Sequence, residues 1–407
     1  MLGINFSRVA VFAIIILCSP IWNETGSAIA ETVVSDKGVV ASRSGIASDI
    51  GADIMRQGGN AIDAAVATGF ALSVTYPSAG NLGGGGFMVI RLADGSVVTN
   101  DHREKAPILA RTDMYLDADG EIVKGLSTRS HLAVGVPGSV AGLIDVLERY
   151  GTMSIAEVIE PAIVLARDGF ILNRDLAGQF NSRVKDFARY PASTRVFTNE
   201  GEPYKPGDLF VQSDLSKTLL RIKKSGKAGF YQGKTARLLV EEMSSGGGLI
   251  SHEDLSEYRS VWREPVVGNY RGFKVVSMPP PSSGGILLVQ MLNMLETLDV
   301  SGMGFGGSRT IHAMIEAQRR AYADRSEYLG DSDFYPVPIT RLTDKKYALE
   351  RFKDFDFEQA GSSELIGPGL AERESLETTH VSVMDNLGNA VSYTTTLNLS
   401  YGSKIIV

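Results

Sequence analysis

Cysteine is nearly absent from this chain: its 407 residues contain one, Cys18. That residue falls in a segment read below as a removable leader, so the mature protein would have no disulfide and no thiolate metal site. Histidine is also scarce. The five (His102, His131, His252, His312 and His380) are scattered, with no H-E-x-x-H spacing, so no metal and no other cofactor is expected. Basic blocks are missing too, and the formal net charge is −7. Phosphate backbones need clustered Lys and Arg, so nucleic acid is excluded as a partner. The apolar run at residues 9–17 is far shorter than the roughly 20 residues a membrane-spanning helix needs, so no stable membrane anchor is expected.

What is present begins with an address. Arg8 supplies a positive flank, residues 9–17 an apolar core, and Ala28-Ile29-Ala30 a small-residue cleavage site. Together they read as a secretory signal peptide over 1–30. Leu17 before Cys18 is not the small residue that lipidation would need. The expected location is therefore the bacterial periplasm or the medium.

Hydrophobic content of 43% supports one large core or two ordinary ones. A strand is expected at 39–42, and Ser44 opens an amphipathic helix through Ile46, Ile50 and Ile54. Asn60 caps an Ala-rich helix over 61–74 that is apolar all round and so reads as buried. A hairpin follows, 87–92 with 96–99, about Asp94-Gly95. Ser154 and Glu157 form a capping box, Gly169 a helix stop, and further helices fit 215–224, 286–298 and 311–328. The stretch 361–377 is polar and reads as a mobile loop. After it comes the best strand pair in the chain, 380–385 and 389–397. Mixed helices and strands indicate a layered α/β or α+β domain.

Several familiar patterns fail on spacing. Gly229 to Thr235 is one residue short of a phosphate loop, and Gly138-Ser139 lacks the residue between that a nucleophile elbow requires. What remains is Glu377-Thr378-Thr379-His380 and its hairpin. If Asn386-Leu387-Gly388 is a three-residue loop, Asp385 pairs with Asn389, and stepping outward along both strands sets Thr378 opposite Thr396. A two-residue turn would break that pairing. Asn398 shares the face of Thr396. A threonine hydroxyl needs a base, and no histidine or lysine is arranged as one in the nearby sequence. Its own α-amine, freed by cleavage of the preceding peptide bond, would serve, with an unperturbed pKa of about 7.7–8.0. The alternative is a polar sheet face, since threonines favour strands.

Thr378 to Asp385, Gly388-Asn389-Ala390 and Thr396-Leu397-Asn398 together resemble the start of the small subunit of gamma-glutamyltransferases. Upstream stretches match in family order: Gly58 to Ala65, Gly83 to Phe87, Arg103-Glu104-Lys105-Ala106-Pro107, Pro279 to Gly285, Tyr322 to Arg325 and Leu329-Gly330-Asp331. The resemblance implies an N-terminal-nucleophile hydrolase, an α+β four-layer αββα sandwich. Its precursor cuts itself before Thr378 into a large-subunit region (31–377) and a small-subunit region starting at 378–407. By position, Thr378 would be the nucleophile and Thr396 its support, with Asn398 contacting the glutamyl head. Arg103 would hold the substrate α-carboxylate, a task suited to a planar guanidinium; alone, it also reads as a surface ion pair with Asp101 or Glu104.

The implied substrates are glutathione and related γ-glutamyl compounds, with water, amino acids or peptides as acceptors. The family's small subunit continues past the position of Val407, so the 407-residue chain is expected to be partial and, by itself, inactive. Two rival readings share the scaffold, a β-lactam side-chain acylase and a non-catalytic exported binding protein.

Overall fold

The computed structural model describes residues 33–366 and 378–407. The leader expected at 1–30 and Glu377, before the expected cleavage point, lie outside the described residues. Chain order begins with β1 (Gly38–Ala41), after which Ser44 caps α1 (Gly45–Arg56) by accepting the Ala47 N–H. Asn60 caps α2 (Ala61–Thr75): its side chain accepts the Ile62 and Asp63 N–H groups, and Asp63 reaches back to the Asn60 N–H. That reciprocal pair satisfies donors a helix start otherwise leaves orphaned. All of α2 is buried, as expected for a helix apolar on every side, and its few polar side chains are hydrogen-bonded, Thr68 to the Ala64 carbonyl and Asp63 to the Thr152 N–H. Next come the hairpin β2 (Gly85–Arg91) and β3 (Val97–Asp101), α3 (Ser139–Tyr150) and β4 (Val261–Arg263). A second hairpin follows, β5 (Val266–Tyr270) with β6 (Phe273–Ser277), then α4 (Gly284–Leu295), α5 (Ser308–Tyr328) and α6 (Lys345–Phe352). Strands β7 (Thr379–Asp385) and β8 (Ala390–Thr396) are the last elements described.

Six strands form one sheet in the order β1-β7-β8-β2-β3-β4, every neighbouring pair antiparallel. Both β7 and β8 are therefore paired on each side. Along them, residues alternate between faces. Val381, Val383, Val391 and Tyr393 are buried on the side of α2, where burial of each Val contributes about 1.5–3 kcal/mol. His380, Ser382, Met384 and Ser392 are exposed on the other side. With α1 and α3 packed against α2, the described residues supply a sheet with helices on one face. The mixed helix-and-sheet class agrees with the expected α+β architecture. Strands β4 to β6 escaped the sequence reading, because strands of three to five residues between Pro and Gly carry too little alternation to register. None of the described helices is long and apolar enough to cross a membrane.

A buried charge network joins α5 to α6. Arg320 pairs with Glu316 at 2.7 Å and Asp354 at 2.8 Å, while Asp324 accepts from Arg351 and the Tyr347 hydroxyl. Glu316 also accepts the Gly361 N–H at 3.0 Å. The stretch expected to be a loop is thus anchored at its first residue; 367–377 lie outside the described residues.

Candidate active site

The β7–β8 hairpin has the expected register. The Asp385 N–H donates to the Asn389 carbonyl at 3.0 Å, and the side chain of Asp385 closes the turn by accepting the Leu387 and Asn389 N–H groups. Pairs then run outward through Thr394 opposite His380 to Thr395 opposite Thr379. One further step on each strand is Thr378 and Thr396. Thr378 is exposed, whereas Thr379 is buried on the helix side. The strand ends at Thr396, so alternation does not carry on to Asn398 as expected from sequence; instead the Asn398 N–H turns back to donate to the Thr396 Oγ1 at 2.9 Å. Asn398 has a φ of 67°, a left-handed conformation that Asn tolerates better than most residues.

On its other side β8 pairs with β2, setting Thr396 opposite Gly85 and Thr394 opposite Phe87. Two glycines let the backbones converge there. A Cβ on Gly84 would lie 2.3 Å from the Thr396 carbonyl oxygen, and one on Gly85 would lie 2.8 Å from a Glu104 carboxylate oxygen. The chain leaving β3 therefore passes beside the start of β2, the strand that pairs with β8. Arg103 sits on that chain. Its guanidinium lies 5.7 Å from the Phe87 ring centre and 3.5 Å from Glu104, with its side chain 44% exposed. The ion pair read from sequence is thus made with Glu104, while Asp101 accepts the Arg103 backbone N–H at 3.0 Å. Asp101 is itself bound by Arg263, which is bidentate to Asp333.

Three further residues contribute here; Glu104 was read from sequence as a partner of Arg103, and the other two were missed. Asn81 donates to the Thr395 Oγ1 at 3.1 Å and the Thr396 carbonyl at 3.0 Å, and accepts from the Gly84 N–H and the Ser139 hydroxyl. It lies in a turn that carries no periodic signal. Glu104 is the second; burial raises its carboxyl above the usual range against the pull of nearby Arg103. The third is His380, passed over as a scattered histidine although it stands two residues from Thr378 on the same strand face. Its Nδ1 lies 2.8 Å from the Thr394 Oγ1 and its Nε2 3.3 Å from the Ser392 Oγ. Both ring nitrogens are engaged across the strand, and burial lowers the pKa of the ring. His102, by contrast, is fully buried on the helix side, with its Nδ1 2.9 Å from Asn100. Burial alone pushes its pKa down to about 3.

Of the four residues singled out in the sequence, Thr396 and Asn398 are in direct contact, and the other two are placed by the strands they adjoin. Thr378 and Thr396 occupy the next register step, Asn398 holds Thr396, and Arg103 stands over Phe87 two residues from the partner of Thr396.

The family model described as gamma-glutamyltranspeptidase matches residues 47–407. The glutathione hydrolase proenzyme of Escherichia coli K12 is 49% identical over 376 residues, covering 92% of this chain and 65% of that protein. This chain therefore spans about two thirds of the length of that relative. The acylase ACY 1 proenzyme of a Pseudomonas species (strain V22) is 42% identical over 375 residues, covering 91% of this chain and 67% of its own. Among solved structures, the gamma-glutamyltranspeptidase of Helicobacter pylori superimposes with a TM-score of 0.82 at 47% identity, covering 84% of this chain and 98% of that one.

Proposed function

Because the chain belongs to the gamma-glutamyltranspeptidase family, we propose that it carries the nucleophile of a γ-glutamyl acyl transfer, and that this nucleophile is Thr378. The register of β7 against β8, which ends one step short of Thr378 and Thr396, is the observation that carries the reading. Residues 31–377 are the large-subunit region and 378–407 begin the small subunit, separated by self-cleavage before Thr378. The proenzyme names of the relatives support that division.

In the mature site the Thr378 hydroxyl attacks the γ-carbonyl carbon of glutathione, and its proton passes to the Thr378 α-amine. The C–N bond breaks, the same proton goes to the departing nitrogen, and cysteinylglycine leaves. Water, an amino acid or a peptide then attacks the γ-glutamyl ester and restores the hydroxyl. Thr396 orients the nucleophile, Asn398 contacts the glutamyl head, and Arg103 binds the α-carboxylate through two parallel hydrogen bonds. Mass spectrometry of the full-length protein tests this. A fragment starting at residue 378, together with release of glutamate from a γ-glutamyl anilide, is expected; an uncut chain that still turns over the anilide overturns it.

The likeness to the ACY 1 acylase favours one second reading, side-chain removal from β-lactams. Arg103, standing over Phe87 of β2, suits a carboxylate-bearing glutamyl head better. Export follows from Ala28-Ile29-Ala30. N-terminal sequencing of exported protein should begin at Glu31, and retention of Met1 would refute it.

A further inference from the structure

We propose that Tyr258 is a positioning residue for Arg103, fixing the backbone from which the guanidinium is aimed. The proposal rests on the reading of Arg103 as the carboxylate-binding residue. The Arg103 guanidinium is held loosely: its side chain is 44% exposed, with Glu104 at 3.5 Å and the Phe87 ring at 5.7 Å. Its backbone is held from both sides. The Arg103 carbonyl accepts the Tyr258 hydroxyl at 2.7 Å, and its N–H donates to Asp101 at 3.0 Å. A long side chain magnifies any tilt at its Cα, so the aim of Arg103 is set where these two bonds meet the chain.

Tyr258 is built for that task. It is 5% exposed, and its ring stacks on Tyr231 at 5.7 Å with the planes within 2°. The Tyr231 hydroxyl is itself tied to the Pro137 carbonyl at 2.9 Å and the Ala141 N–H at 3.2 Å. The Lys105 ammonium also lies 5.4 Å from the Tyr258 ring centre. Space for the hydroxyl comes from Gly138, where a Cβ would lie 2.1 Å from it. Burial raises the phenol pKa well above its ordinary value, so the hydroxyl remains a donor throughout the working pH range.

Tyr258→Phe in the full-length protein keeps the stack and removes the one hydroxyl. KM for γ-glutamyl p-nitroanilide should rise about 3- to 10-fold, the worth of one neutral hydrogen bond, with kcat held within about twofold. The 4-aminobutyryl anilide lacks the α-carboxylate, and its kinetics should not change. In an Arg103→Ala background, Tyr258→Phe should cause no further loss, because the two residues act as one unit. A loss shared equally by both anilides would reveal a general folding defect and overturn the proposal, as would unchanged kinetics on both. If Arg103→Ala raises KM and Tyr258→Phe does not, this proposal alone falls. If Arg103→Ala leaves KM unchanged, the glutamyl reading of Arg103 falls and takes this one with it.

Discussion

Thr379 lies directly opposite Thr395 in the β7–β8 ladder, and both side chains point to the helix-covered face of the sheet. Their fates differ. Thr395 donates to the Gly85 carbonyl at 3.0 Å, whereas the buried Thr379 hydroxyl oxygen has no hydrogen-bond partner among the described residues. Adjacent threonines in one motif therefore stand in opposite environments, Thr378 exposed on one face and Thr379 buried on the other.

That contrast yields a graded series of variants in the full-length protein. Thr378→Ala should leave the precursor as one uncut chain, and Thr378→Ser should still cut. Thr379→Val should cut normally and gain about 1 kcal/mol of stability, since it removes an unpaired buried hydroxyl while keeping the shape. Mass spectrometry and urea unfolding read both effects. A Thr378→Ala protein that still releases a fragment beginning at residue 378 would refute the assignment.

Arg103→Lys keeps the charge but loses the planar fork. KM for a γ-glutamyl anilide should rise about tenfold or more, with self-cleavage largely intact. Unchanged steady-state kinetics would leave Arg103 as no more than the partner of Glu104.

Asn81→Ala would strip the Thr396 carbonyl, the Thr395 hydroxyl and the Gly84 N–H of one shared partner. Buried groups left unpaired cost about 1–3 kcal/mol each, though a relaxing site recovers part of this. Urea unfolding should show a loss of about 2–4 kcal/mol. A loss under about 0.5 kcal/mol, the scale of ordinary surface changes, would mean that the hub is dispensable.

His102 makes stability depend on acid. Its folded pKa is depressed to about 3 by burial, so between the unfolded value of about 6.5 and that point the unfolded chain binds the extra proton. Stability from keeping this ring neutral is present above about pH 6.5 and is lost as pH falls toward 3, at no more than about 1.4 kcal/mol per pH unit. The acid limb should therefore be shallower in His102→Gln than in the parent. Identical slopes in urea unfolding at pH 7, 6 and 5 would contradict this account.

Where neighbouring residues decide the outcome, the sequence was sufficient. Ser44, Asn60 and the Ser154–Glu157 box start their helices as read, because capping is settled within four residues. Gly169 ends its helix with a φ of 80°. The turn at Asn386-Leu387-Gly388 set the register of β7 on β8, because loop length alone fixes which residues face each other. The ladder observed reaches Thr379 and Thr395, one step short of the Thr378 and Thr396 positions expected from that register.

Arg103 and Asn81 are a different case. Their contacts cross long sequence separations, to Tyr258 and Phe87 for one and to Thr395 and Thr396 for the other. Such partners carry no local period or spacing. They meet because β8 inserts between β7 and β2, which carries residue 396 to residue 85, and because Gly84 and Gly85 let the backbones close to contact. Sheet order of this kind is chosen by the burial of whole strand faces against α2, a collective quantity that no single stretch of sequence contains. The sequence by itself thus determined the caps and the hairpin with its register. Only the tertiary structure decided which distant side chains hold the strand of Thr396 and the backbone of Arg103 in place.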